Sequence, residues 1–399
     1  MGFGTLAIIA AAGLIGPLLS IRSGWNIPIV LGELVAGMVL GVTGFGVIDA
    51  SNPTLSFMAQ IGFALVMFVA GSHVPVRDPI LRRGIKVGSL RAVLVGVVAA
   101  ALGIGIAALF GTGNAPLYAV LMASSSAALI LPIVGSLQLG GPPILELLPQ
   151  VAIADAACIV ALPLVSNPSH ALQAAVGACV VLAAAALLYL ALSRRQATAG
   201  RKRVHRLSER RKFTIELRVS LAILFSLCAI ATATHVSIML AGFAFGLVVA
   251  AIGQPRRLTK QLFALTEGFL GPLFFVWLGA SLNVRDLAEH PSLIMLGVAL
   301  GLGAALAHMT MRVTGQPLHV GSIACAQLGV PVAAATLATQ ANLLAPGEAP
   351  ALILGALVTI AITTIAAGIA ARNPESALPP QPAATEGVPP SNPERPGPA

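Results

Sequence analysis

The sequence predicts an all-helical integral membrane protein with about thirteen transmembrane helices. Three observations lead there: the composition, the length and number of the apolar runs, and the placement of the basic residues. Of 399 residues, 57% are hydrophobic and 9% are charged, far from the usage of soluble domains. A helix needs about 20 apolar residues to cross the hydrocarbon layer. Such runs, separated by Gly, Pro, Asn or charge, fall at 4–20, 27–44, 54–76, 88–110, 116–138, 145–166, 170–193, 214–234, 236–253, 262–284, 291–313, 317–342 and 348–371. Lys and Arg offer an independent check, because cytoplasmic loops are enriched in them. With thirteen spans and the N-terminus outside, only Arg285 of the 23 basic residues lies at an outer end. Arg22, Arg77, Arg82, Arg83, Lys86, Arg91, the 194–212 stretch, Arg256, Arg257 and Lys260 lie inward. Adding or dropping one span would scramble that separation. The expected setting is a bacterial inner membrane, with the N-terminus outside and the C-terminus cytoplasmic.

The net charge of +9 does not point to nucleic acid. Its basic residues cluster between apolar runs and are not interleaved with exposed aromatics. Cys158, Cys179, Cys228 and Cys325 each fall in an apolar stretch without CxxC spacing or a nearby His pair, which indicates neither a zinc nor a disulfide framework and reads them as small core residues. The first apolar run leads into the next without a cleavage pattern and is read as a retained span.

The basic linker 194–213 divides the chain into a first membrane half, 1–193, with seven spans, and a second, 214–372, with six. Residues 373–399 contain nine prolines and almost no large apolar side chain, so a disordered cytoplasmic tail is expected. Spans five and twelve each carry a proline near the middle, Pro132 in LMASSSAALILPIVGSL and Pro331 in CAQLGVPVAAATLATQ. Either proline alone could simply kink an ordinary membrane helix. Interrupted spans at matching positions in two halves point instead to an inverted-repeat transporter, whose two broken, crossing helices expose carbonyls and helix ends at the midplane.

Most of the fourteen acids lie in loops, in the tail or near span ends. Asp155, in PQVAIADAACIVALPLV, sits close to the middle of the sixth span, where an ionised residue costs about 2.5–3.5 kcal/mol on insertion scales. An Asp kept neutral or hydrogen-bonded to a neighbouring helix is the structural alternative. A lone carboxylate in a partly hydrated cavity can hold a proton or a Na⁺ or K⁺, and alternating exposure of the loaded site turns that competition into antiport. Alkali cations want several oxygens, so Ser124, Ser125, Ser126 and carbonyls freed near Pro132 are candidate co-ligands; the serines serve ordinary helix packing equally well. Gln327 and Thr336, in the twelfth span, are candidates to support the site from the opposite half. Glu33, in GELVAG, either contacts the ion or makes an interhelical hydrogen bond, and His308 either tunes the pH response or does the same. Glu216 and Glu267 lie near inner ends, and Glu146, beside GGPP, reads as either an access funnel or a loop edge.

Six segments occur in an order that resembles the monovalent cation:proton antiporter family 2, the sodium/hydrogen exchanger-like membrane proteins. They are IPIVLGELVAGMVLG, IGFALVMFVAG, ASSSAALILPIVGSL, ADAACIVAL, VSIMLAGFAFGLVVA and GPLFFVWLGASLNV, and the resemblance covers residues 5 to 371. It implies a sodium/proton antiporter-like fold, a dimerisation domain beside a mobile core crossed by the broken helices, elevator-like movement of the bound ion, and a homodimer. It also implies that Asp155 stands at the second acid of the family's paired-Asp motif and Ser125 and Ser126 at its Thr-Ser pair. The chain departs from the pattern at Ala154, where the first acid would be, and in span eleven, where Gly303 occupies the region of a lysine. Gly329 and Val330 stand for a Gly-Glu motif, and Gly71, Ser72 and His73 for Gly-Leu-Glu. With one carboxylate and no basic partner, the expected activity is electroneutral exchange of one Na⁺ or K⁺ for one H⁺. The expected partners are the cation, the proton, membrane lipids and a second copy, with no nucleic acid, no enzymatic chemistry and no organic cofactor. Rival readings are a K⁺ efflux channel, a non-transporting scaffold or sensor on the same fold, and a sodium-coupled symporter of an organic anion.

Overall fold

A computed structural model of the chain describes residues 1–20, 29–72, 76, 77, 79–166, 171–196, 215–234, 236–253, 256–340, 344, 345 and 347–372. Most of the basic linker and the proline-rich tail lie outside these residues, as do Arg22 and His73. The described chain is nearly all helical. Span one is α1 (Phe3–Gly13) followed by α2 (Ile15–Ser20), and α3 (Ile29–Leu40), α4 (Pro53–Ser72) and α5 (Pro79–Phe110) supply the next three. Span five is two short helices, α6 (Ala115–Ala123) and α7 (Ala127–Ser136). The first half closes with α8 (Gly141–Ser166) and α9 (Ala171–Gln196). The second half opens with α10 (Ile215–Ala233) and α11 (Ile238–Ile252). Span ten joins α12 (Arg256–Leu265) through a π-helical turn (Thr266–Leu270) to α13 (Gly271–Ser281). A connector, α14 (Val284–Glu289), leads to α15 (Pro291–Met309), which ends in a 3-10 turn (Thr310–Thr314). Span twelve is again two pieces, α16 (Leu318–Ala324) and α17 (Gly329–Gln340), and α18 (Glu348–Ala371) is the thirteenth. Among the described residues, nine helices are long and apolar enough to cross a membrane, and two shorter apolar helices, 3–19 and 238–252, join them. With α3 and the α6–α7 pair, the expected thirteen spans are present in order.

Two expectations shift. The breaks do not lie at the prolines: span five is interrupted at 124–126 and span twelve at 325–328, while Pro132 lies inside α7 and Pro331 is the third residue of α17. Amides in the first turn of a helix have no intrahelical acceptor, so Pro331 is accommodated there and marks a helix start, not the gap itself. Glu146 is not at a loop edge either, because α8 already begins at Gly141 and the two prolines of GGPP occupy its first turn.

Packing sorts the spans into two groups that the linker does not separate. Helices α5 to α8 and α15 to α18 pack on one another, and α1 to α4 pack with α9 to α13. Direct contacts between the groups are few beyond the chain connections. The second group is drawn tight by small residues at close helix crossings. A Cβ added at Gly242 or Gly246 of α11 would overlap the backbone oxygens of Ala64 and Phe68 on α4, and one added at Gly37 of α3 would overlap that of Val276 on α13.

Candidate ion site at the helix breaks

The first break begins where three serines meet the end of α6. Ser124 takes an extended conformation, φ −72° and ψ 151°. Its hydroxyl donates to the Leu121 carbonyl at 2.8 Å, the local competition for backbone acceptors that makes serine a poor helix-interior residue. Helix α7 then starts from Ser126, whose carbonyl accepts from the Leu129 and Ile130 amides at 3.2 and 3.0 Å. In the second break, the Cys325 thiol donates to the Ser322 carbonyl at 3.0 Å and the Gln327 amide to the Thr359 hydroxyl of α18 at 3.2 Å. The breaks are tied together directly: the Ser125 hydroxyl donates to the Ala324 carbonyl at the end of α16, at 2.6 Å.

Asp155 projects from α8 into this crossing, 6% exposed. The Ala127 amide, first of α7 and without an intrahelical acceptor, donates to its Oδ2 at 3.1 Å. A helix N-terminus carries partial positive charge and favours an anion beside it. The carboxylate opens on a cavity of about 30 Å³, above the 10–15 Å³ or so that a water molecule needs. One wall comes from Ile159, from Ser126 and Leu328 of the two breaks and from Gly329 and Val332 of α17; the opposite wall is Phe63, Val66, Met67 and Ala70 of α4 with Phe274 and Phe275 of α13. Within that wall Phe63 and Phe274 stack, ring centroids 4.7 Å apart. The acid therefore sits where the two packing groups face each other, between the two broken helices.

The other sequence candidates divide. Ser126 lines the cavity, whereas Ser124 and Ser125 direct their hydroxyls to backbone carbonyls. Thr336 bonds the Val332 carbonyl one turn back, at 2.8 Å. Gln327 is 4% exposed and its Nε2 has no partner, but it is not among the cavity's lining residues. His308 is fully buried with its ring near the backbone of Met122 and Ser124, and neither ring nitrogen makes a hydrogen bond of normal geometry. Glu33 lies in the other group, its Cγ 3.0 Å from the position of a Cβ on Gly16 of α2. At Gly303 a Cβ would come 2.6 Å from the Met122 sulfur and 3.3 Å from Ile106 Cδ1, so a side chain there has to displace the Met122 thioether.

Several buried polar contacts were not legible in the residue pattern. The Ala127 amide carries no side-chain signature, although a Ser-rich segment opening an apolar run is a helix-start signal. Arg91 is 3% exposed and pairs with Glu146 at 2.9 Å while its Nε donates to the Thr314 hydroxyl at 2.8 Å. Its place inside the apolar run 88–110 was the available hint. Beside the start of α6, Glu348 is buried and accepts from the Tyr118 hydroxyl, from Asn114 Nδ2 at 2.8 Å and from the Ala345 amide at 3.0 Å.

Residues 7–372 match the family described as sodium/hydrogen exchanger, transmembrane. The chain belongs to that family. Among relatives of this chain, the protein named "Putative Na(+)/H(+) antiporter YjbQ" of Bacillus subtilis (strain 168) is 23% identical over 387 residues, covering 90% of this chain and 62% of YjbQ. The glutathione-regulated potassium-efflux system protein KefC of Enterobacter sp. (strain 638) is 26% identical over 375 residues, covering 90% of this chain and 59% of KefC. The chain thus spans about three-fifths of the length of these relatives. In architecture it is similar to the sodium proton antiporter MjNhaP1 of Methanocaldococcus jannaschii, with a TM-score of 0.64 and 14% identity over 93% of this chain and 97% of that one. The exchanger fold and the multi-pass membrane character of the protein follow from these matches.

Proposed function

We propose that this exchanger carries out electroneutral antiport of one monovalent cation, Na⁺ or K⁺, against one H⁺ across a bacterial plasma membrane, through the single carboxylate of Asp155. The observation that carries the reading is the position of that carboxylate, buried at the junction of the two packing groups with an amide of α7 on Oδ2. A bare carboxylate at such a place is costly, so the group is neutralised either by a proton or by a cation. No hydrogen bond reaches Oδ1 among the described residues, which leaves that oxygen to take either one. Ser126 and the backbone of the breaks supply further oxygens to a cation. When the cation leaves, a proton replaces it on the same oxygen, and the charge of the loaded site is the same in both directions.

One-for-one exchange is supported by Ala154, which removes a second acid, and by Met122 and Ile106, which occupy the space beside Gly303. Alternating access is supported by the sparse contacts between the groups, which let the α5–α8 and α15–α18 group slide against its neighbour and turn the acid from one side to the other. The names of the relatives mention sodium for one and potassium for the other, so both ions stand in the reading. A homodimer in contact with membrane lipids, N-terminus outside, and no organic cofactor complete it.

The test is dissipation of an imposed pH gradient in inverted vesicles on addition of Na⁺, K⁺ or Li⁺, comparing wild type with Asp155→Asn. At least one cation should collapse the gradient in wild type and none in the variant. An Asn variant that exchanges as well as wild type removes Asp155 from the mechanism, and cation current without obligatory proton movement shows a channel instead.

A further inference from the structure

A second feature of the bundle lies far along the chain from the acid, where α15 runs out. The helix and its closing 3-10 turn cover 24 residues, Pro291–Thr314, roughly 36 Å at 1.5 Å per residue. That is longer than a hydrocarbon layer of about 30 Å, enough for the turn to reach the lipid headgroups. Directly after it is an open depression of about 400 Å³ lined by Arg312, Gly315, Gln316, Pro317 and Leu318. Arg312 is exposed, and its guanidinium makes no ion pair or hydrogen bond among the described residues. Gln316 is 1% exposed; its Nε2 donates to Gln150 Oε1 at 2.8 Å, and its own Oε1 has no donor. Gly315, at φ +84°, leaves the middle of the depression without a side chain, and a Cβ there would meet nothing within 4 Å. Val313 and Leu318, 85% and 39% exposed, are the apolar flanks.

We propose that this depression is a binding site for an anionic phospholipid of the phosphatidylglycerol type. The free guanidinium of Arg312 takes the phosphodiester, the geometry in which arginine binds phosphate best. The acyl chains lie along Val313 and Leu318. Basic pockets between membrane helices that face an anionic leaflet select such lipids by the same combination of charge and apolar flank. The site is held in shape before the lipid arrives. Arg91 grips Thr314 through its hydroxyl at 2.8 Å and its carbonyl at 3.3 Å while paired with Glu146 of α8, and Gln316 is bonded to Gln150 of the same helix. Lipid occupancy therefore braces the end of the group that carries Asp155, without touching the ion cavity.

The experiment is thermal unfolding of the purified full chain in detergent, with added dioleoyl-phosphatidylglycerol, dioleoyl-phosphatidylcholine or inorganic phosphate at equal concentration. It is run on wild type, on Arg312→Gln, and on Arg194→Gln, which removes the same charge from an exposed position elsewhere. Phosphatidylglycerol should raise the Tm of wild type and of Arg194→Gln by several degrees and that of Arg312→Gln by less than half as much. Phosphatidylcholine and inorganic phosphate should leave all three unchanged. Native mass spectrometry of the same samples should show at least a threefold lower occupancy by retained phosphatidylglycerol in Arg312→Gln. An equal shift with inorganic phosphate would assign the site to the free anion, an equal shift with phosphatidylcholine would mark unselective detergent replacement, and undiminished phosphatidylglycerol binding in Arg312→Gln would place the lipid elsewhere. Each of these overturns the proposal.

Discussion

Replacing Ala127 by proline takes one N–H away from the Asp155 carboxylate and alters the surrounding helix little. Ala127 is the first residue of α7, a position where proline is favoured because the amide has no intrahelical acceptor. The residue before it, Ser126, lies outside the helix, as the restriction on pre-proline backbone requires. What disappears is the 3.1 Å bond to Asp155 Oδ2. A hydrogen bond to an ionised group contributes about 1.5–3 kcal/mol, and one to a neutral group about half of that. The cation-loaded, ionised state therefore loses about 0.75–1.5 kcal/mol more than the protonated state, which corresponds to a roughly three- to thirteenfold rise in the cation concentration for half-maximal exchange at fixed pH. Proteoliposomes loaded with a pH-sensitive dye would measure it, with Ala127→Gly as the control that keeps the N–H. The maximal rate should change less than the half-saturation concentration. If Ala127→Pro half-saturates within twofold of Ala127→Gly, with both variants unfolding at similar temperature, the amide does not hold the carboxylate in the cation-loaded state.

Three further outcomes are expected. Ser125→Ala removes the bond that joins the two breaks and should lower stability by about 0.6–1.7 kcal/mol and slow exchange more than Ser124→Ala, whose bond stays within its own helix; equal rates for the two variants would deny the crossing bond a role. Tyr118→Phe leaves the buried Glu348 with fewer donors and should cost about 1–3 kcal/mol, read as a lower Tm with an unchanged half-saturation concentration; a shifted half-saturation would show that this cluster reaches the ion site. Gly303→Lys forces a side chain against the Met122 sulfur and should cost about 1–3 kcal/mol or more, partly recovered in Gly303→Lys with Met122→Ala; a single variant as stable as wild type would mean that the space beside Gly303 is open.

Particular residues show where sequence reading succeeded and where it stopped. The spans were legible because a membrane-crossing helix must satisfy all its backbone groups internally and present about 20 apolar residues to lipid, and both demands are written in one dimension. Asp155 was legible because an acid at mid-span is rare. The exact breaks were not, since Pro132 and Pro331 announce only that a helix is interrupted nearby. Whether the gap opens at the proline or several residues before it depends on which hydroxyls and carbonyls find partners, here Ser124 with Leu121 and Ser125 with Ala324. Likewise Arg91 read as one more inward-lying base until Glu146 and Thr314 appeared beside it.

The amino-acid order by itself determined that this protein lives in a bilayer, how many times it crosses, and that one carboxyl lies in the middle of a crossing. These are properties of single segments measured against the thickness and polarity of lipid. Only the tertiary structure decided that the carboxyl meets the α7 amide, that both broken helices and an aromatic wall from α4 and α13 enclose it, and that the two packing groups each draw spans from both halves of the chain. Those facts join residues distant in sequence. They are settled by close helix approach at glycines and by the need of every buried polar group for a partner, and neither requirement names the partner until the chain has folded.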